Sequence, residues 1–132
     1  MLLVTPLYAG LLALWFFALS LRVVQRRGHG VSLGDGGDTE LLRRIRGHGN
    51  FAEYVPLILL MMAFLELGKF STLLLHGLGL TLLLARVLHG LALSFTGGWK
   101  FGRFYGTLLT FLLLLVTGGL CVYQGLSGLR LQ

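Results

Sequence analysis

Acidic side chains are nearly missing from this sequence: five Asp and Glu in 132 residues, against eleven Lys and Arg, for a formal net charge of +6. Charged residues of both signs make up only 12%, about half the ~25% of soluble domains, so a water-facing globular surface is excluded. Cysteine is scarcer still. The single Cys121 cannot form an internal disulfide, and inside "LLLLVTGGLCVYQGL" it reads as a small packing residue. No Cys/His set has the spacing of a metal site, and the few acids do not follow an EF-hand pattern, so no metal is expected. Neither G-x-x-x-x-G-K-[ST] nor G-x-S-x-G occurs, which removes the P-loop and the serine-nucleophile elbow. The basic residues form no aromatic-interleaved patch, so their excess does not indicate nucleic acid. No internal repeat is evident.

What is abundant is apolar: 55% of residues are hydrophobic, and the mean hydropathy is +0.82. The length allows one membrane domain of a few spans covering residues 1–132. Four helices are expected, at about 5–24, 39–67, 70–95 and 103–126, giving an all-α integral membrane four-helix bundle. The first apolar stretch has no basic residues before it and no small-residue cleavage site, so it reads as a retained helix. Asp38 or Thr39 can cap the second, with Glu40 favourable in its first turn, and Pro56 is tolerable within a bundle. The glycine-rich "RRGHGVSLGDGGDTE" between the first two spans is a flexible connector. Glycines 77, 79, 118 and 119 lie within spans, where small residues mark close helix packing.

Arg22, Arg26, Arg27, Arg43, Arg44 and Arg46 cluster around loop 1, with Lys100 and Arg103 in loop 3. Only Lys69 and Arg130 fall at the other end. The positive-inside rule predicts loops 1 and 3 in the cytoplasm and both termini outside.

Against this background "RRIRGHGNFAEYVP", residues 43–56, stands out. The second helix is roughly 45 Å long against a ~30 Å hydrocarbon core. Counting from Leu67, Glu53 lies at roughly 21 Å, Asn50 at roughly 25 Å and Arg46 at roughly 31 Å. On the antiparallel third helix, Arg86 and His89 fall roughly 24 and 28 Å from Phe70, and Arg26 lies roughly 31 Å beyond Thr5. Polar groups from three helices thus reach one depth. Arg43, Arg46, Asn50, Glu53 and Tyr54 share an arc of about 100°, while Arg44 and His48 point nearly the opposite way. A Glu53–Arg86 ion pair would justify those two residues, since an arginine in a span costs ~2.5–3.5 kcal/mol. It would not justify Asn50, Tyr54, Arg43, Arg46 and His89 beside them. Several arginines with one carboxylate suit an anionic ligand that also carries an ammonium group. Glu66 and His76, near the other end, read as interfacial.

These residues resemble the helix-2 signature of the MAPEG family, the membrane-associated proteins of eicosanoid and glutathione metabolism. The spacing R-x-x-x-N-x-x-E-Y-x-P is filled by Arg46, Asn50, Glu53, Tyr54 and Pro56; "ARVLHGLAL" places Arg86 at the family arginine, and Arg26-Arg27 ends helix 1. "LGDGGDTELLRRIRGHGNFAEYVPL" is especially similar to small bacterial members, which implies a bacterial inner membrane. The resemblance implies a homotrimer binding glutathione, as co-substrate, between subunits near the cytoplasmic side. Arg46, Asn50, Glu53 and Tyr54 would hold it with Arg43 assisting, and Arg86 at the family position. His48 and Arg26 would reach it from the neighbouring subunit, and His89 stands where eukaryotic synthases usually have a tyrosine. Leu93 replaces another such tyrosine. The thiol-activating arginine corresponds to Arg103, with Lys100 as the alternative.

The implied activity is that of a detoxifying glutathione transferase, with peroxidase activity as a further expectation, acting on lipophilic electrophiles that arrive through the lipid bilayer. Two rivals are carried beside it. One is a non-catalytic anion-binding membrane protein whose polar cluster serves trimer assembly. The other is a transporter subunit with Glu53 as proton carrier, which would need a polar path that the Leu-, Met- and Phe-rich outer halves of helices 2 and 3 do not supply.

Overall fold

The computed structural model describes residues 2–129, with side chains through residue 128; Arg130 therefore lies outside the described residues. Four helices are present: α1 Val4–Arg27, α2 Thr39–Leu67, α3 Thr72–Gly90, which runs on into a π-helical turn Leu91–Phe95, and α4 Lys100–Leu129. Each is long and apolar enough to cross a membrane. The protein is an all-α integral membrane four-helix bundle.

The helix ends follow from local chemistry. Asp38 caps α2, its side chain accepting from the amides of Glu40 (2.9 Å) and Leu41 (3.1 Å). Ser71 caps α3 by accepting from Leu74 N at 3.2 Å, so this helix starts two residues beyond Phe70. Lys69, in the left-handed region at φ 61°, makes the tight turn out of α2. The fourth helix begins three residues before its apolar run, because Arg103 N already donates to Trp99 O at 3.2 Å. Pro56 sits within α2 without ending it. In loop 1, Gly34, Gly36 and Gly37 adopt φ of 65°, 58° and 79°, conformations that side chains rarely tolerate.

One stripe of each helix builds the core. Phe51, Val55, Ile58, Met62 and Leu65 recur at three- and four-residue spacing along α2 and meet Leu12 and Leu19 of α1, Leu75 and Leu82 of α3, and Leu113 of α4. The closest approaches use glycine. A Cβ on Gly79 would collide with the Tyr8 ring, and one on Gly106 would stand 2.7 Å from the Ala85 carbonyl. Gly77 and Gly119 have nothing within 4 Å, and Gly118 meets only Met61 Sδ at 3.9 Å. Within the chain, the expectation of close packing therefore holds at Gly79 and is not met at the other three.

Both ends of α1 are tied down. The Glu66 carboxylate, at the end of α2, accepts from the backbone amides of Leu3, Val4 (2.7 Å) and Thr5 (2.7 Å), capping α1 from another helix. His76 Nδ1 meets the Tyr8 hydroxyl at 3.1 Å. At the opposite end, Arg26 Nε donates to Asp38 at 2.6 Å and its Nη1 lies 3.3 Å from Glu40, which also pairs with Arg44. The Arg26 guanidinium, with help from the Leu41 and Glu40 amides, holds the Asp38 carboxyl below its usual range. The stabilisation from this lock is present above the ordinary aspartate pKa and lost as pH falls through the lowered one.

Candidate functional site

The π-helical turn decides what faces the interior at the loop-1 end of the bundle. Its register is closed by Thr96 N donating to Leu91 O at 3.0 Å, and its far carbonyl, Ser94 O, is gripped by Arg22 through Nε (3.1 Å) and Nη2 (2.9 Å). Trp15 stacks on Phe95 at 5.6 Å and donates Nε1 to Arg86 O at 3.0 Å. Helix α1 thereby clamps the end of α3, and the turn presents Leu93 beside His89.

Between this turn, α2 and α4 lies a cleft of about 350 Å³, lined by polar Arg43, Arg46, Asn50, His89, Arg103 and Thr107, with Leu42 and Leu93 beside them. Directly behind it sits Arg86, 1% exposed. Its guanidinium donates to Asn50 Oδ1 at 2.8 Å and Thr110 Oγ1 at 3.2 Å, and approaches His89 Nδ1 at 3.1 Å. Its Nε has no partner among the described residues, nor does the buried Nε of Arg43.

The electrostatics are one-sided. Four guanidinium groups, Arg43, Arg46, Arg86 and Arg103, surround or underlie the cleft, and no carboxylate lines it among the described residues. Desolvating a cation without an opposite charge is costly. An anion entering the cleft would offset that cost, and arginine forks match carboxylates bidentately.

The residues expected from sequence divide into three groups. Arg43, Arg46, Asn50, His89 and Arg103 meet at the cleft, with Arg86 beneath them. Glu53 and Tyr54 lie one turn further along α2, outside the lining; Tyr54 packs against Phe111 with centroids 5.7 Å apart, and Glu53 is exposed. The Glu53–Arg86 ion pair does not form: Asn50 and Thr110 take the guanidinium donors, and Glu53, at the edge of its arc, turns outward. Lys100 stands outside the cleft, lining a separate hollow with Arg103, Phe104 and Thr107. Arg26 is held by Asp38 and Glu40, and His48 faces α1, its Nε2 3.1 Å from Ser20 Oγ and its ring stacked on Phe16 at 4.5 Å. Thr107 and Thr110 were not foreseen. They follow Arg103 at four and seven residues, on the same face of α4, and that periodicity is their signal.

Four apolar spans with a polybasic cleft at one end define the class: an integral membrane protein that gathers cationic side chains at one end of its bundle. The chain belongs to the MAPEG family, whose sequence profile matches residues 5–123. Two relatives, each called inner membrane protein YecN, from Escherichia coli strain K12 and from Escherichia coli O6:H1, are 41% identical over 87 residues. The match covers 65% of this chain and 66% of the relative, just under two thirds of that protein's length. No solved structure matches the sequence.

Proposed function

We propose that the protein is a membrane-bound glutathione transferase that binds glutathione in the Arg43–Arg46–Arg86–Arg103 cleft and turns its thiolate against lipophilic electrophiles. The observation that carries this reading is the cleft itself: Arg43, Arg46, Arg103 and Asn50 line it, Arg86 lies buried beneath, and no carboxylate among the described residues neutralises them. Glutathione carries two carboxylates and a titratable thiol. Two carboxylates answer the arginines of α2 and α3, and Asn50 can serve a peptide amide.

Arg103 has the role of thiolate partner. A free thiol titrates near ~8.5 and only its thiolate attacks, while a cation within ~4–6 Å lowers the pKa by ~1–3 units. Lys100, outside the cleft, is not assigned this role. The thiolate displaces a leaving group from, or adds to, an apolar substrate that enters from the lipid side, and Leu93 offers that substrate an apolar wall. Reduction of lipid hydroperoxides draws on the same thiolate.

Glu53 points to assembly. An exposed carboxylate within a span is costly against lipid, so this face of α2 calls for cover. We assign that cover to neighbouring copies in a homotrimer, which also brings Glu53 toward the amine of a bound ligand at the subunit boundary. The excess of arginine and lysine in loops 1 and 3 supports a cytoplasmic side for them; the relatives' names support an inner membrane and say nothing of orientation.

A second reading, a non-catalytic anion-binding protein, is favoured by Leu93, which leaves one wall of the cleft without a hydrogen-bonding group. Assay of purified protein with glutathione and an activated aryl halide separates the two. Turnover above the uncatalysed rate is expected; saturable glutathione binding without turnover would establish the second reading.

A further inference from the structure

Loop 3 and the first turn of α4 carry a surface that the cleft does not use. Trp99, Phe101, Phe104 and Tyr105 are all at least 40% exposed, yet they pack into one chain of rings: Trp99 on Phe101 at 5.8 Å, Phe101 on Tyr105 at 4.3 Å, and Tyr105 on Phe104 at 5.3 Å. Rings that amass at a span's end, rather than sinking into the core, mark the headgroup level of a bilayer. Against them lies a hollow of about 300 Å³ lined by Lys100, Arg103, Phe104 and Thr107. Its two cations have no ion-pair partner among the described residues, and none of the chain's five acids belongs to the 95–110 segment. Lys100 contributes nothing to the cleft, so its charge has no use there.

We propose that this hollow is a site for the headgroup of an acidic phospholipid, with Lys100 as the principal contact to the phosphate and Trp99, Phe101 and Phe104 seated among the adjoining acyl chains. Charge complementarity selects the occupant. Two unpaired cations beside an apolar, bilayer-level wall match a group that is anionic at one end and hydrocarbon at the other, which a free phosphate is not. Arg103 stands between the hollow and the cleft, so the lipid borders the path by which an apolar molecule would reach the cleft. Lys100 lines only the hollow, so its contact with the phosphate does not depend on what the cleft binds, even where Arg103 is engaged there.

The test reconstitutes the full chain in zwitterionic vesicles containing a minor fraction of either a brominated acidic phosphatidylglycerol or a brominated zwitterionic lipid, and reads Trp99 quenching. Trp99→Phe subtracts the Trp15 signal. Preferential quenching by the acidic lipid is expected, about fivefold in apparent affinity for one lysine near the surface. It should be lost in Lys100→Gln, an exposed change that leaves the core intact, and should fall with added salt. Equal quenching by the two lipids would overturn the proposal, as would unchanged preference in Lys100→Gln. Loss of the preference on adding millimolar inorganic phosphate at constant ionic strength would assign the hollow to a soluble anion instead.

Discussion

Replacing Arg103 with alanine is expected to lower the rate of glutathione conjugation about 10- to 30-fold at pH 7 and to leave it nearly unchanged near pH 9.5. The pH split follows from the chemistry. Without a cationic partner the bound thiol reverts to its ordinary pKa near ~8.5, where only about 3% is thiolate at pH 7. A guanidinium that lowers the pKa by ~1–3 units raises that fraction to between about a quarter and nearly all. At alkaline pH the thiol ionises unaided and the advantage disappears. Arg103→Lys should recover part of the neutral rate, and Lys100→Ala should match the wild type, because Arg103 lines the cleft and Lys100 does not. A pH–rate profile for the four proteins reads this directly. A uniform loss at every pH would instead mean that Arg103 holds the ligand rather than tuning its thiol.

Arg86→Met should separate binding from folding. The guanidinium is 1% exposed, bonded to Asn50 and Thr110, and without a carboxylate among the described residues. Were Arg86 a structural clamp, its loss would cost several kcal/mol. Were it a charge kept for a ligand, an apolar side chain of similar length would relieve its desolvation and leave the free protein within ~1 kcal/mol of wild type, or more stable. Thr110 remains bonded to Gly106 O at 2.7 Å, and Asn50 borders the cleft, where water can reach it. Affinity for glutathione should meanwhile fall by about 30-fold or more, the ~2 kcal/mol or above that accompanies removal of one partner from a desolvated charge pair. Thermal unfolding in detergent, with and without glutathione, reads both quantities: a nearly unchanged midpoint without ligand and a much smaller ligand-induced rise.

The four spans were legible because their signal is additive: a predominantly apolar stretch of about twenty residues outweighs any single irregularity. The site was legible in part. Asn50 falls near the middle of a helical arc, and a 100° rule places such a residue well. Glu53, at the edge of the same arc, is where a small rotation decides between interior and lipid, and there the rule pointed inward while the side chain lies outward. The partner of Arg86 was misjudged for a related reason. Opposite charges at similar depth invite pairing, but three nearer groups, Asn50, Thr110 and His89, take the guanidinium first. Least visible was the π-helical turn. No residue in "LALSF" announces it; Arg22 and Trp15, seventy or more positions away, brace it by donating to the Ser94 and Arg86 carbonyls. Glu66 capping α1 is likewise a contact across more than sixty residues, beyond the reach of local periodicity.

Calorimetric titration of the purified protein with glutathione, alongside Arg46→Ala, tests the central claim most directly. Arg46 is exposed at the cleft and supports no core contact, so its truncation leaves the fold in place. Saturable binding to the wild type, weakened at least about tenfold in the variant as expected for a lost charge-assisted contact, is the predicted result. An absence of binding, or equal affinity in both proteins, would contradict it.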